Sequence, residues 1–275
     1  MRNTKKLSIA LGMVIGASAQ AANLIVYDFE SETAGALADA ASIANSGTSG
    51  SNGTVGGTVG GTASIVTGSG PGGLTTNYLS LVPTQDGNQG AGAPHIGTGG
   101  SITSLNLAGD QNYTMAAWIR YNNSNGDNMV FGGADGDVIH LGSRNQNGSG
   151  QHWSGHWGDD INANGAPTTE IGAWHHVAWT NTAGSNEQSI YVDGVLAVSG
   201  GAGASGGYGA NGGQTLLIGT SNNGGSFNGD LDDVRVYDEV LSAAQIADLA
   251  TVAIPEPTSG ILLSLASLAL LRRRR

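Results

Sequence analysis

The 275-residue sequence contains no cysteine. That excludes disulfide scaffolds, thiolate zinc sites, iron–sulfur clusters and thiol catalysis. Basic residues are scarce: Lys and Arg total 10 against 21 Asp and Glu, giving a formal net charge of −11. Such a balance argues against nucleic acid as a partner, because phosphates are bound by Lys and Arg. Repeats rich in Lys, Glu and Leu are missing, so a helical bundle does not fit. Glycine is the exception to this scarcity, at 47 residues, yet it lacks the three-residue period of collagen.

The two ends read as addresses. Arg2, Lys5 and Lys6 form a basic start, Leu7 to Ala17 an apolar run, and Ala19-Gln20-Ala21 the small residues that a signal peptidase needs. The order predicts a signal peptide over 1–21, cut after Ala21. At the other end Pro255-Glu256-Pro257 precedes an apolar stretch from Ile261 to Leu271, and Arg272, Arg273, Arg274 and Arg275 close the chain. Residues 258–271 span about 21 Å as a helix at 1.5 Å per residue. That is short of the roughly 30 Å hydrocarbon core. The arginines belong on the cytoplasmic side.

Segment 253–275 resembles a PEP-CTERM sorting signal, the tag of exosortase substrates in Gram-negative bacteria. The resemblance implies export through the inner membrane, transient anchoring by a short transmembrane segment, and cleavage near Pro-Glu-Pro. Signal peptidase and an exosortase are the implied processing partners, and the cell surface or extracellular matrix the destination. The alternative is a permanent single-span anchor.

Between these ends, residues 22–252 are expected to form one domain. Residues 22–254 hold Arg120, Arg144 and Arg235, no Lys, and 20 of the 21 acids, a balance of −17. That charge favours solubility and attracts divalent cations. Strand signals dominate. Ile25, Tyr27 and Phe29 alternate on one face of Asn23 to Glu30. In Tyr113 to Tyr121, Met115, Ala117 and Ile119 oppose Trp118 and Arg120. Asp193-Gly194 between two apolar runs predicts a hairpin. Many short strands with turn-rich spacers predict an all-β, two-sheet antiparallel jelly-roll sandwich. Ser242 and Gln245 fit a capping box and predict one short helix over 243–249. The glycine-rich run 47–73 reads as a flexible insert with room for one or two irregular strands.

The block from Asp110 to Leu249 resembles a laminin-G-like domain of the concanavalin-A-like lectin/glucanase superfamily. The resemblance rests on Asn112 to Arg120, His140 to Arg144, Trp174 to Ala178, Ile190 to Gly194, Leu217 to Gly219, and Phe227 to Tyr237. With the opening strand at Val26 to Phe29 it covers most of 24–249. It implies neighbouring first and last strands, and a family that includes glycan-binding and adhesive modules as well as enzymes.

The foremost binding segment is Gln151 to Ile161. Trp153 and Trp157 sit four apart among His152, His156, Asp159 and Asp160. An aromatic ring covers the apolar face of a sugar, while carboxylates and imidazoles meet its hydroxyls. Trp153, His156, Trp157, Asp159 and Asp160 are therefore the expected glycan ligands; the plainer alternative puts one or both Trp in the core. Asp28 on the first strand and Asp233 on the last are the expected pair for a structural calcium ion, which takes carboxylate and carbonyl oxygens. Pairing of Asp233 with Arg235, or exposure, is the alternative. Adjacent His175 and His176 point to opposite faces of a strand, which argues against zinc.

No catalytic residues are assigned. Gly203 to Gly207 fits G-x-S-x-G but lacks the strand before it and the helix after it. The E-x-D-x-x-E pattern of related glucanases is missing. The expected function is non-catalytic binding of glycan or exopolysaccharide at the surface or matrix. A structural or adhesive protein without a specific ligand, and a polysaccharide-cleaving enzyme, are the alternatives.

Overall fold

The computed structural model describes residues 22–85, 92–107, 111–122, 126–133, 139–144, 152–155, 161–163, 170–184, 187–200, 214–221 and 224–251. The expected signal peptide 1–21, the expected sorting signal 253–275 and the G-x-S-x-G match at 203–207 lie outside the described residues. Among the described residues no helix is long and apolar enough to cross a membrane.

The first part of the chain forms β1 (Asn23–Tyr27), β2 (Gly35–Leu37), β3 (Ser42–Ile43), β4 (Gly53–Gly56), β5 (Gly61–Ser69), β6 (Thr75–Pro83) and β7 (His95–Ser101). The middle forms β8 (Tyr113–Tyr121), β9 (Asn128–Gly133), β10 (His140–Arg144), β11 (His152–Gly155) and β12 (Ile161–Ala163). The last part forms β13 (Trp174–Thr182), β14 (Glu187–Val192), β15 (Val195–Gly200), β16 (Thr215–Ile218), β17 (Gly229–Tyr237) and the helix α1 (Ala243–Leu249).

The strands make two antiparallel sheets, as a jelly-roll sandwich requires. The larger runs β15-β14-β13-β8-β17-β6-β5-β2, with β1 also on β17; the smaller runs β12-β11-β10-β9-β16-β7-β4-β3. Alternation decides what faces inward. Met115, Ala117 and Ile119 of β8 enter the core with Val177 and Trp179 of β13 and Leu141 of β10. Ile25, Tyr27 and Phe29 join them, all buried. First and last strands pair, Val26 opposite Arg235 and Tyr27 opposite Val234.

The outer face of the larger sheet is partly covered by α1. Ser242 accepts from the Gln245 N–H at 3.3 Å, and the Gln245 side chain accepts from the Ser242 N–H at 2.9 Å. This closes the capping box expected from the sequence. Ile246 and Leu241 then pack on Ala116, Ala178 and Tyr237. At the hairpin, Asp193 (φ 50°) and Gly194 (φ 79°) are both left-handed. That matches a two-residue type I′ turn, whose twist suits the flanking strands.

The glycine-rich run holds two strands, as the sequence left room for, but they are regular members of the sheets rather than a flexible insert. It contributes β4 and the nine-residue β5, which is in register with all of β6. Its tandem repeat does not repeat in structure. Val55 is buried in β4, whereas Val59 is 94% exposed in a 3-10 turn. Gly57 joins the two at φ 71°, and a Cβ there would collide with the Ala93 carbonyl oxygen. Low complexity here meets steric demand as well as looseness.

Candidate functional site

The site grows from an irregularity in β17. Its first residues pair with β6, Gly229 opposite Leu81 to Leu231 opposite Leu79. Its last residues pair with β1. Against β8 the register shifts between Asp232, opposite Trp118, and Arg235, opposite Ala116. Asp233 occupies the bulge with φ 45°. An extra residue re-aims its neighbours. Leu231, Val234 and Val236 still enter the core, while Asp232, Asp233 and Arg235 line a pocket.

That cavity has a volume of about 370 Å³. Its other walls are Asp28 and Glu30 after β1, Pro71, Leu74 and Thr76 before and in β6, Trp118 of β8, and Asp248, Leu249 and Thr251 at the end of α1. Among the described residues, five carboxylates and one guanidinium thus line it. Asp233 Oδ1 accepts from Arg235 Nε at 2.8 Å. Burial would lower the Arg235 pKa, but the charge and hydrogen bonding of Asp233 hold it above its ordinary value. Asp28 Oδ1 accepts from the Glu30 N–H at 3.2 Å.

Asp232 is the buried member, 6% exposed. Its oxygens accept from the Thr76 hydroxyl at 3.0 Å and from the Asp233 N–H at 2.8 Å. Burial, with the charges of Asp233 and Glu30, pushes its pKa up to about 7 despite these donors. Trp118 meets the His176 ring edge-on at 5.4 Å. A smaller cavity of about 160 Å³ shares Arg235, Asp248 and Leu249 and adds Asn23, Tyr237, Leu241 and Gln245.

The structure brings Asp28 and Asp233 to one pocket, as the neighbouring end strands imply. Arg235 engages Asp233 at 2.8 Å, the pairing given as the alternative for that residue. Among the described residues no three His, Asp or Glu groups gather as a metal site. Calcium at this pair would rest on two carboxylates, one already engaged by Arg235.

Trp153 corrects an expectation. It is 1% exposed and packs against Tyr121 at 5.6 Å and Trp179 at 6.2 Å between ring centroids. Its position on β11 points it into the sandwich, so its ring is part of the core and offers no face to a sugar. His156, Trp157, Asp159 and Asp160 lie outside the described residues. The histidine pair divides as expected. His175 lies 6.5 Å from buried Trp153, and His176 lies beside Trp118 on the other face.

Sequence patterns missed Trp118, Asp232, Glu30, Thr76 and Asp248 as one site. A signal existed in Leu231-Asp232-Asp233-Val234. Strict alternation would send one of the two adjacent carboxylates into the core, and only a bulge keeps both out.

On the smaller sheet, Ser221 Oγ lies 3.0 Å from His140 Nδ1, and Asp127 lies 4.0 Å from His140 Nε2. Those are the residue types of a charge-relay triad. The carboxylate is too distant for a hydrogen bond, and Arg144 Nε holds the same oxygen at 3.2 Å. Burial, helped by Arg144, lowers the His140 pKa to about 3. This imidazole is a poor proton acceptor near neutrality.

A family model, Laminin_G_3, described as concanavalin A-like lectin/glucanases superfamily, matches residues 95–247. The chain belongs to the concanavalin A-like lectin/glucanases superfamily. Solved structures share its fold at low identity. Domain 4 of AbnA, an extracellular arabinanase of Geobacillus stearothermophilus in complex with arabinotriose, aligns with a TM-score of 0.59 at 18% identity, over 85% of this chain and all of that one. The SAP-like pentraxin of Limulus polyphemus aligns at 0.51 and 18%, over 66% and 84% of the two chains. A botulinum neurotoxin type C structure aligns at 0.54 and 13%, over 83% of this chain and 50% of that one. That toxin depends on interaction with two ganglioside molecules to get into cells. No curated protein sequence matches the chain. Within the superfamily one scaffold hosts many functions, so function has to come from the site.

Proposed function

We propose that this superfamily member is a non-catalytic glycan-binding module, exported and held at the cell surface or in the extracellular matrix. One observation carries the reading: a pocket on the sandwich surface combines an indole ring, Trp118, with carboxylates and a hydroxyl at Asp232, Asp233 and Thr76. Sugars present apolar C–H faces rimmed by hydroxyls, and such a lining meets both. The arabinotriose complex of the AbnA domain supports the reading by showing a glycan held on a similar scaffold.

The segment holding His156, Trp157, Asp159 and Asp160 is a second proposed contact. Its flanking strands β11 and β12 belong to the smaller sheet, away from the strands that frame the pocket. Structural calcium at Asp28 and Asp233 is a further proposal for the pocket. Export by residues 1–21, sorting by 253–275 and exopolysaccharide as the matrix ligand are proposed from the sequence alone.

Polysaccharide pull-down with the full chain tests the function. Retention without release of reducing ends supports the binding module. Release of reducing ends would make the protein a polysaccharide-cleaving enzyme. Neither retention nor release would leave a structural or adhesive role.

A further inference from the structure

We infer that the pocket beside α1 takes a cationic sugar unit, one bearing a free ammonium group, with the pyranose ring against Trp118 and the ammonium at Asp232. This rests on the glycan-binding reading and specifies the ligand class of the same site.

Size comes first. A cavity of about 370 Å³ falls within the range of small-ligand pockets, about 300–1,000 Å³. The adjoining cavity of about 160 Å³ extends it along α1. Asn23 lines that extension, and its Oδ1 is buried with no hydrogen-bond partner. A hydroxyl of the next sugar unit would satisfy that oxygen.

Charge selects the ligand. Asp28, Glu30, Asp233 and Asp248 line the pocket together with Asp232, and among the described residues Arg235 is the one cation lining it. Arg235 is committed to Asp233. Asp232 itself has a hydroxyl and a backbone N–H as donors. A buried carboxylate with neutral donors only is stabilised when a cation arrives. An acetylated amine or a plain hydroxyl brings no such charge. Trp118 adds to the preference, because an indole face attracts a desolvated cation as well as C–H groups.

The test is isothermal titration of the full-length protein at low ionic strength, at a pH above about 7, where Asp232 is ionised, and below the pKa of the sugar amine. Glucosamine oligomers, their N-acetylated counterparts and neutral gluco-oligomers of equal length are compared, with a lysine peptide as a control for general attraction to an acidic protein. Glucosamine oligomers should bind at least about tenfold tighter than the other three. Asp232→Asn, which keeps the volume, should remove about tenfold of that affinity, and Trp118→Ala a similar amount. Melting curves identify any variant that fails to fold, and Asp232→Asn decides if Trp118→Ala does.

Equal binding of acetylated or neutral oligomers would overturn the ammonium inference and leave the glycan reading standing. Equal binding of the lysine peptide, or affinity untouched by Asp232→Asn, would overturn the inference as well. Absence of binding to every saccharide would overturn this inference, and polysaccharide pull-down then decides the broader reading.

Discussion

Arg120 and Asp230 stand opposite each other across β8 and β17 and close an ion pair of 2.9 Å. The guanidinium also lies 5.0 Å from the Tyr78 ring centroid and 4.7 Å from that of Trp174. It donates to the Tyr78 hydroxyl and the Ser69 carbonyl as well. Arg120→Ala leaves Asp230 largely buried without its cation, a change that typically costs about 3–5 kcal/mol for a fully buried pair. With the Arg120 side chain 21% exposed, we expect the low end, read as a fall in urea midpoint at unchanged slope. Arg120→Lys should restore only part of it, since the ammonium cannot reproduce the planar stack.

Asp232 makes stability depend on pH in an unusual direction. Its pKa rises from 3.8 to about 7 in the fold. Below pH 4 both folded and unfolded chains hold the proton, and the residue costs nothing. Between pH 4 and 7 only the folded chain keeps it, so this contribution to stability falls as pH rises. Above pH 7 the full cost is present, up to about 4 kcal/mol. Asp232→Asn should melt several degrees higher than the parent at pH 8, with the gap closing by pH 4. A gap that does not change with pH would show that the carboxyl titrates normally.

His176 acts in the opposite sense. Burial, aided by the Arg235 charge and opposed by Asp193, lowers its pKa from 6.5 to about 4. As pH falls from 6.5 to 4, the unfolded chain gains a proton that the folded chain refuses, and stability is lost. His176→Gln should lose less stability than the parent between pH 7 and pH 5. Denaturant midpoints at the two values provide the check, and equal losses would contradict the burial of a neutral ring.

Calcium offers a direct assay of the acidic pocket. Binding to the folded state alone stabilises by about 2.7 kcal/mol when the ion is at 100 times its dissociation constant. Millimolar calcium should therefore raise the melting temperature of the parent, and EDTA should reverse it. Asp28→Asn and Asp233→Asn should each blunt the rise. A melt indifferent to EDTA and to added calcium would remove the structural-calcium proposal.

Gly57→Ala should destabilise by on the order of 2 kcal/mol or more, from its left-handed backbone and the clash with Ala93. Gly50→Ala shares the positive φ but has open space around its Cβ position, so it should cost less. Thermal melts of both variants separate the steric part from the conformational one.

Much of the sandwich was legible in the chain. Period-two alternation in β8, the Asp193-Gly194 turn and the Ser242/Gln245 cap are local signals, and local sequence suffices to read them. The pocket was harder because it depends on which strands become neighbours. Asp28 and Asp233 were linked only through the pairing of first and last strands. Trp118 read as one residue on the far face of a strand, with no hint that Asp232 would be its cross-strand partner. Trp153 was misread because an aromatic residue near acids has the same sequence signature whether its ring turns inward or out. The run 47–73 was underestimated because glycine marks both looseness and close contact, and Gly57 serves the second.

The exchange of partners along β17 also sets an order of assembly. β8 borders both halves of it, β6 its opening half and β1 its closing half. The earliest strand to be synthesised therefore waits, unpaired on that edge, for residues 229–237 to emerge. Pairings between the extremes of a chain are slow to form. A product truncated before Gly229 would lose the central seam of the larger sheet, leaving three strand edges open to aggregation.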